Sequence, residues 1–204
     1  YCGEYRGLYV LIKGVNTMDY KEKYETMLKE YRQVFETLDQ NSMREFIELI
    51  KKHDRIFCIG VGREGMMTRA FAMRLMHMGK EVHWIWDDTT PHIGKGDLLI
   101  ATLGDGSIGH IDYVCRRAKE AGAYICVVTG SPSGKTAKEV ADQVFFIPAC
   151  VYRGTDPVVP SFQPMGNLFE QCLLMVFDVI VMTLVDEIPD LTFEKMSMRH
   201  RNVE

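Results

Sequence analysis

The feature that most constrains the fold is a regular alternation, after residue 54, of short apolar runs with longer stretches of helical periodicity. Runs of five to seven residues that are apolar on both faces are typical of parallel strands covered by helices on either side. We therefore predict an α/β protein, a three-layer αβα sandwich around a five-stranded parallel sheet of flavodoxin- or Rossmann-like type. The predicted strands are 55–61, 81–86, 97–103, 123–129 and 143–147.

The helical periodicity predicts elements between and before these strands. Residues 18–53 contain no Gly or Pro and have apolar residues at helical spacing, which predicts two N-terminal helices broken near Asp39. The chain has no internal repeat or low-complexity linker, so we predict one domain over 18–204. It divides into N-terminal helices (18–54), an αβα core (55–187) and a tail (188–204), and we assign no role to residues 1–17. The later predicted helices are 64–79, 107–122, 135–141 and 167–187.

Composition excludes several classes of partner. The 24 basic and 28 acidic residues give a net charge of -4, and the basic residues are scattered, so we expect no nucleic-acid partner. The longest apolar run, 173–185, is interrupted by Asp178 and is too short to span a bilayer, so we expect no membrane partner. The six cysteines show no CxxC pair, and we interpret them as reduced thiols of a cytoplasmic protein.

Three loops follow the first three predicted strands, at 60–65, 87–92 and 104–107. Sheets of this type bind small molecules at the carboxyl ends of their strands, where the topology switches direction. We therefore expect these loops to form a ligand site. The candidate binding residues are Gly62, Arg63, Glu64, Thr89, Thr90, His92, Gly104, Asp105, Gly106 and Ser107.

The first loop also fits a dinucleotide motif, since Gly60, Gly62 and Gly65 match G-x-G-x-x-G and Asp87 lies near the end of the next strand. Against it, Glu64 would lie beside the pyrophosphate and repel it. The same glycines also fit a tight strand-to-helix turn without any ligand. We predict no cofactor.

Two further patterns, a P-loop-like stretch and the spacing of the histidines, do not match a phosphate-binding or metal-binding motif. Residues 130–136 (GSPSGKT) look like a P-loop but have three residues between the glycines instead of four, so we interpret them as a plain turn. The six histidines show no HxxxH or HExxH spacing, and we predict no metal. A cation assembled in space stays open among Glu64, Asp87, Asp88, Asp105, His92 and His110.

From Arg55 onward the chain resembles the 6-phospho-3-hexuloisomerases of the sugar isomerase (SIS) family. The matching stretches are 56–63 (IFCIGVGR), 71–77 (FAMRLMH), 89–91 (TTP), 96–100 (GDLLI), 164–166 (PMG), 169–170 (FE) and 199–200 (RH). The resemblance implies an αβα sandwich that assembles as a homo-oligomer, usually a tetramer. It also implies a small-molecule partner, a sugar or sugar phosphate.

The resemblance further implies isomerisation through an enediolate, which needs a base and an acid. Carried over, Glu170 is the base, and His200 is the acid or ring-opening partner, reaching a neighbouring subunit's site. The alternatives are that Glu170 only favours its helix N-terminus and that His200 lies in a frayed tail. Where the family often has a second Glu beside the base, this chain has Gln171.

The chain departs from the family where hydroxyls hold the substrate phosphate. Two carboxylates about 5 Å from a phosphate dianion would oppose its binding by several kcal/mol. Three functions therefore stay open: an isomerase of an unphosphorylated or amine-bearing sugar, a phosphosugar isomerase with substitute contacts, and a non-catalytic sugar-binding domain. The four hydroxyl positions carry Glu64, Leu103, Asp105 and Ile108.

Overall fold

The computed structural model describes residues 18–203, so the expectations for residues 1–17 lie outside the described residues. Its centre is a five-stranded sheet in the order β2-β1-β3-β4-β5, and all four pairings are parallel. The predicted α/β sandwich is confirmed, with each strand ending within two residues of its predicted end. The strands are β1 Arg55–Ile59, β2 Glu81–Trp84, β3 Leu98–Thr102, β4 Tyr124–Thr129 and β5 Gln143–Phe146.

Seven α-helices surround this sheet in the described part of the chain. The predicted break between the first two has a clear cause, because the Asp39 carboxylate accepts hydrogen bonds from the N–H groups of Asn41 and Ser42 and caps the second helix. The last helix was not predicted. The helices are α1 Tyr20–Thr37, α2 Gln40–Lys52, α3 Gly62–His77, α4 Gly109–Glu120, α5 Lys135–Glu139, α6 Asn167–Glu187 and α7 Phe193–Met198, with a 3₁₀ turn at Pro164–Gly166.

Alternate residues of each strand pack into separate cores on the two faces of the sheet. In β1, Ile56 and Cys58 join the core formed with α2, α3 and α6. Phe57 and Ile59 join the core formed with α4 and α5. Because both faces are covered, the three central strands are almost entirely apolar, which explains why short apolar runs marked them in the sequence. The edge strand β2 is more polar and less buried.

The long helix α6 is a core element. Nine of its residues are buried, including Phe169, Phe177 and Leu184. Together with the 3₁₀ turn it is long and apolar enough to cross a membrane by length and composition, so the expectation that its apolar run was too short is wrong as to length. Burial against the sheet and α3 supplies a reason for that apolar sequence.

The five cysteines among residues 18–203 divide into two groups. Cys58, Cys115, Cys126 and Cys172 are buried free thiols, and burial raises the pKa of Cys58 to about 12. Cys150 is disulfide-bonded, so the expectation that every cysteine is reduced is wrong for this residue.

The sheet changes direction between β1 and β3, because the chain first adds β2 on one side of β1 and then places β3 on the other. The turn after β1 has no room for a side chain at two of its glycines: a Cβ on Gly60 would lie 2.3 Å from Thr102 Oγ1, and one on Gly65 would lie 2.7 Å from the Gly60 carbonyl. These glycines therefore bring the start of α3 against the end of β3, where a ligand crevice is expected.

Candidate active site

A cavity of about 240 Å³ opens at this switch point, between the ends of β1 and β3 and the start of α6. It gathers residues from four separate segments of the chain. The lining residues are Val61, Gly62, Arg63, Glu64, Gly104, Asp105, Ile108, Val151, Tyr152, Arg153, Met165, Gly166, Phe169 and Glu170.

An ion pair joins two walls of the cavity. Arg63 Nη1, in the first turn of α3, donates to Glu170 Oε2 at 2.7 Å and to Asn167 Oδ1 at 3.0 Å. The left-handed conformation of Met165 and Gly166 sets the start of α6, and a Cβ on Gly166 would lie 2.7 Å from the Tyr152 backbone nitrogen. The turn thus aims the first residues of α6, including Glu170, at the cavity.

Glu64 is buried at the wall of the same cavity, with 8% of its surface exposed. Its Oε2 accepts a hydrogen bond from the Gly104 N–H at 2.8 Å, whereas its Oε1 is buried without a partner. The pKa of Glu64 is raised to about 8, mainly by burial. The Gly104 N–H opposes this rise, and the nearby Asp105 and Glu170 carboxylates add to it. A carboxyl with such a pKa is about nine-tenths protonated at pH 7. The expectation of two ionised carboxylates facing the ligand therefore needs correction for Glu64.

Asp105 is the carboxylate that remains. It is partly exposed, lines the cavity, and its Oδ1 accepts a hydrogen bond from the Ser107 N–H at 3.0 Å. Gly106 and Ser107, both predicted as binding residues, do not line the cavity. Gly106 has a positive φ of 70° and packs where a Cβ would lie 2.3 Å from the Ser131 carbonyl oxygen, so its part is structural.

The predicted binding residues of the second loop are not brought to the cavity. The Thr90 hydroxyl donates to the Trp84 carbonyl and folds the loop back on itself. His92 lies close enough to Asp97 to act on its carboxyl, and Asp97 immediately precedes β3, at the opposite edge of the sheet. Thr89, Thr90 and His92 are all absent from the residues that line the cavity.

The residues considered for a dinucleotide or a cation are also dispersed. Asp87 pairs with Arg69 at 3.1 Å, and the ring of His110 lies 5.6 Å from that of Trp86. Between residues 18 and 203, no group of three or more His, Cys, Asp or Glu side chains is arranged to hold a metal ion.

His200 lies far from Glu170 of the same chain. Its ring stacks on His77 with the centroids 5.2 Å apart, and Arg199 Nη1 donates to the His77 carbonyl at 3.1 Å. His77 ends α3, whereas the cavity lies at the other end of that helix, about 22 Å away at 1.5 Å per residue. Within one chain, His200 and Glu170 do not form a joint site.

Sequence reasoning missed the contribution of the segment between β5 and α6, which supplies Val151, Tyr152 and Arg153 to the cavity. This segment is irregular and carries no periodicity that would place it. The stretch Pro164–Gly166 was part of the family resemblance, and its position before α6 was the one sequence feature that pointed here.

Known proteins share both the sequence and the fold, although no family model matches the chain. It is 34% identical over 150 residues to the 3-hexulose-6-phosphate isomerase of Bacillus subtilis, covering 74% of this chain and 80% of that protein. It is 36% identical over 167 residues to the 3-hexulose-6-phosphate isomerase of Mycobacterium gastri, covering 82% of each. The chain belongs to the 3-hexulose-6-phosphate isomerase family of SIS domains.

A solved structure supports the same family. A hypothetical protein of Methanococcus jannaschii, whose structure infers a function of 3-hexulose-6-phosphate isomerase, superposes with a TM-score of 0.77 at 28% identity. The match covers 90% of this chain and 99% of that one. The SIS fold thus extends over nearly all the described residues.

The structure locates the four residues that stand where the family resemblance implies phosphate-binding hydroxyls. Leu103 is fully buried and belongs to the core, so it offers nothing to a ligand. Ile108 lines the cavity as an apolar side chain. The carboxyl groups of Glu64 and Asp105 each accept a backbone N–H at the end of β3, and these two donors are therefore taken by the chain itself.

The raised pKa of Glu64 predicts a pH-dependent stability. Between about pH 4.5 and pH 8 the folded state holds a proton that the unfolded state has released, so the stability from this group falls as pH rises through that window. Glu64→Gln removes the titration. The free energy of unfolding of the variant minus that of wild type should therefore increase by on the order of 3–5 kcal/mol from pH 5 to pH 9. Urea denaturation at each pH measures this difference.

The matched control is Glu25→Gln on α1, a carboxylate with 56% of its side chain exposed, which should show little change with pH relative to wild type. A difference between Glu64→Gln and wild type that stays constant from pH 5 to pH 9 would show that the carboxyl is ionised in the fold.

Proposed function

We propose that the chain is a sugar-phosphate isomerase that moves a carbonyl along a phosphorylated ketose through an enediolate, like its 3-hexulose-6-phosphate isomerase relatives. The observation that carries this proposal is a carboxylate, Glu170, which lines the cavity at the strand ends and is oriented by Arg63. An enediolate mechanism needs such a base beside the carbon that loses its proton.

The proposed step begins with Glu170 taking a proton from the carbon next to the substrate carbonyl. The negative charge moves to the carbonyl oxygen, and a proton passes to that oxygen from the hydroxyl on the deprotonated carbon. The same carboxyl then returns its proton to the former carbonyl carbon, so that the carbonyl has moved by one carbon. Arg63 lies within hydrogen-bond distance of Glu170 and lines the cavity, so it is placed to favour the developing oxyanion. Arg63 thus has two parts, orienting the base and stabilising charge.

The charges of the cavity support a phosphorylated substrate better than the sequence suggested. Two guanidinium groups, those of Arg63 and Arg153, line the cavity with the carboxylates of Asp105 and Glu170. Glu64 adds little negative charge near pH 7 because burial raises its pKa. Of the two carboxylates expected to repel a phosphate, only that of Asp105 then adds full negative charge. Glu170 pairs with Arg63, and Arg153 adds a cation to the cavity.

An unphosphorylated ketose is the second candidate, and one observation favours it. The Gly104 and Ser107 N–H groups at the end of β3 already donate to Glu64 and Asp105. A phosphate would lose these two donors, whereas a sugar hydroxyl needs fewer of them.

Glu170→Gln tests the isomerase proposal. It keeps the shape of the side chain but removes the base, so deuterium wash-in at the substrate carbon should fall at least about a hundredfold. NMR of fructose 6-phosphate incubated in D₂O measures the exchange. Asp178→Asn, an exposed change on the same helix, is the control and should exchange at the wild-type rate. Wild-type exchange in Glu170→Gln would remove this residue from the mechanism, and absence of exchange in wild type would leave a binding domain.

Asp105→Asn separates the two substrate candidates. The amide oxygen still accepts the Ser107 N–H, but the charge is gone. For a phosphorylated substrate, affinity for fructose 6-phosphate should rise about tenfold, or about 1.4 kcal/mol, while affinity for fructose should not change. Isothermal calorimetry with both sugars measures this. If wild type binds fructose as tightly as its phosphate, the unphosphorylated candidate is preferred.

Self-association is also part of the proposal, with single-domain subunits assembled into a homo-oligomer of four as the family resemblance implies. Large apolar side chains are exposed on α1 (Tyr20, Tyr24 and Leu28) and on α3 (Met66 and Met73). Such exposed apolar side chains are typical of surfaces that pack against another subunit.

His200 is proposed to act as the acid in the site of a neighbouring subunit, because it lies at the far end of α3 from its own cavity. Mixing unfolded Glu170→Gln and His200→Ala chains and refolding them together should then restore part of the exchange activity, since some sites receive both intact residues. Each variant refolded alone is the control. Light scattering that shows a monomer, or no recovery in mixed oligomers, would contradict this arrangement.

A cytoplasmic location completes the proposal. The four buried free thiols favour a reducing compartment. The disulfide at Cys150 is the observation that points the other way.

A further inference from the structure

The two carboxyl oxygens of Glu64 differ in their hydrogen bonding: one accepts a hydrogen bond from the backbone and the other has no partner among the described residues. Oε2 accepts the Gly104 N–H at 2.8 Å, and Oε1 is shielded from solvent with no hydrogen-bond partner among the described residues. Both Glu64 and Gly104 line the cavity. A buried polar atom without a partner is costly, and the residue that carries it lines a cavity, so a ligand in that cavity is a direct source of the missing partner.

The hydrogen bond from Gly104 also decides where a proton on this carboxyl would sit. A neutral carboxyl has one O–H donor and one carbonyl oxygen, and the carbonyl oxygen is the better acceptor. Since Oε2 accepts the Gly104 N–H, the O–H belongs on Oε1. The unpartnered atom is therefore a donor that needs an acceptor, and residues 18–203 offer none.

We propose that Glu64 binds the ligand directly, as a neutral carboxyl that donates a hydrogen bond from Oε1 to an oxygen of the sugar derivative in this cavity. The inference rests on the proposed function for the identity of the ligand class. A carboxyl donor supplies the same type of contact as the hydroxyl that the family has at this position. It selects for carbonyl, hydroxyl or phosphate oxygens and gives no attraction for an ammonium group.

The charged groups around Glu64 favour the protonated form. Asp105, in the loop after β3, and Glu170, on α6, both face the same cavity and raise the pKa of Glu64 beyond the effect of burial. The cations are Arg63, which turns to Glu170, and Arg153, which lines the cavity from the segment after β5. A ligand oxygen that accepts from Oε1 would hold the proton more firmly still.

The test combines an infrared spectrum with a binding profile. Wild type near pH 7 should show the C=O band of a protonated carboxyl, which is absent from Glu64→Gln and disappears in wild type as pH rises above about 8. Adding fructose 6-phosphate, inorganic phosphate or fructose as probes should move this band to lower frequency where the probe accepts the hydrogen bond. The probe that moves the band identifies the oxygen type.

Calorimetry gives the second arm. Wild-type affinity for the probe that moves the band should fall about tenfold between pH 7.5 and pH 9.5, because the donor becomes an anion. Glu64→Gln offers an amide donor that does not titrate, so its affinity should be the same at both pH values. The titration of the probe itself is common to both proteins. Glu64→Leu, with neither donor nor acceptor, should bind at least tenfold more weakly than wild type at pH 7.5.

Three outcomes would overturn the inference: no protonated-carboxyl band in wild type, a band that none of the three probes moves, or a pH profile shared by wild type and Glu64→Gln. Circular dichroism of each variant shows that its fold is retained. The two proposals fail separately. A band shift without deuterium wash-in refutes the isomerase proposal and supports Glu64 as a hydrogen-bond donor. Wash-in without a band shift supports the isomerase proposal and refutes the donor role of Glu64.

Discussion

The site depends on one buried junction, where the Glu64 carboxyl accepts the Gly104 N–H and ties the start of α3 to the end of β3. Beside it, the hydroxyls of Thr68 and Thr102 bond at 2.8 Å, also fully buried. The two contacts close the switch point of the sheet with polar groups, and Gly60 and Gly65 allow the close approach because a Cβ at either position would clash. The cavity lies beside this junction, between the strand ends and the start of α6.

Periodicity predicted the sheet because it reports which faces are buried, and both faces of these strands are covered. It also placed Glu64 and Asp105 correctly at strand ends. It failed for Thr89, Thr90 and His92, since the side-chain bond from Thr90 to Trp84 turns the loop away from the crevice and leads His92 towards the start of β3. Arg153 comes from a segment with no repeating pattern, so only the folded chain could bring it to the site.

The protonation state of the acidic residues in the site could not be predicted from the sequence either. Glu64 and Asp105 are both acidic residues in glycine-rich loops, yet burial raises the pKa of one to about 8, and the other is partly exposed beside a helix start. The difference arises from position alone, because α3 carries Glu64 inward under the Gly104 loop while Asp105 turns outward to Ser107. Counting both as anions overstated the charge of the cavity.

Glu64 stands where the resemblance implies a hydroxyl, and a protonated Glu64 is consistent with membership in the family. A serine that contacts a phosphate contributes a donor, and a neutral carboxyl contributes a donor as well, from a longer side chain. In the proposed site, replacing the serine by Glu64 therefore keeps a hydrogen-bond donor near neutral pH. The contact depends on pH, because the carboxyl becomes an acceptor when it loses its proton. Arg63 and Arg153 line the same cavity and are cations that favour an anion, so in the proposed site the loss of the Glu64 proton opposes an attraction that these two residues supply.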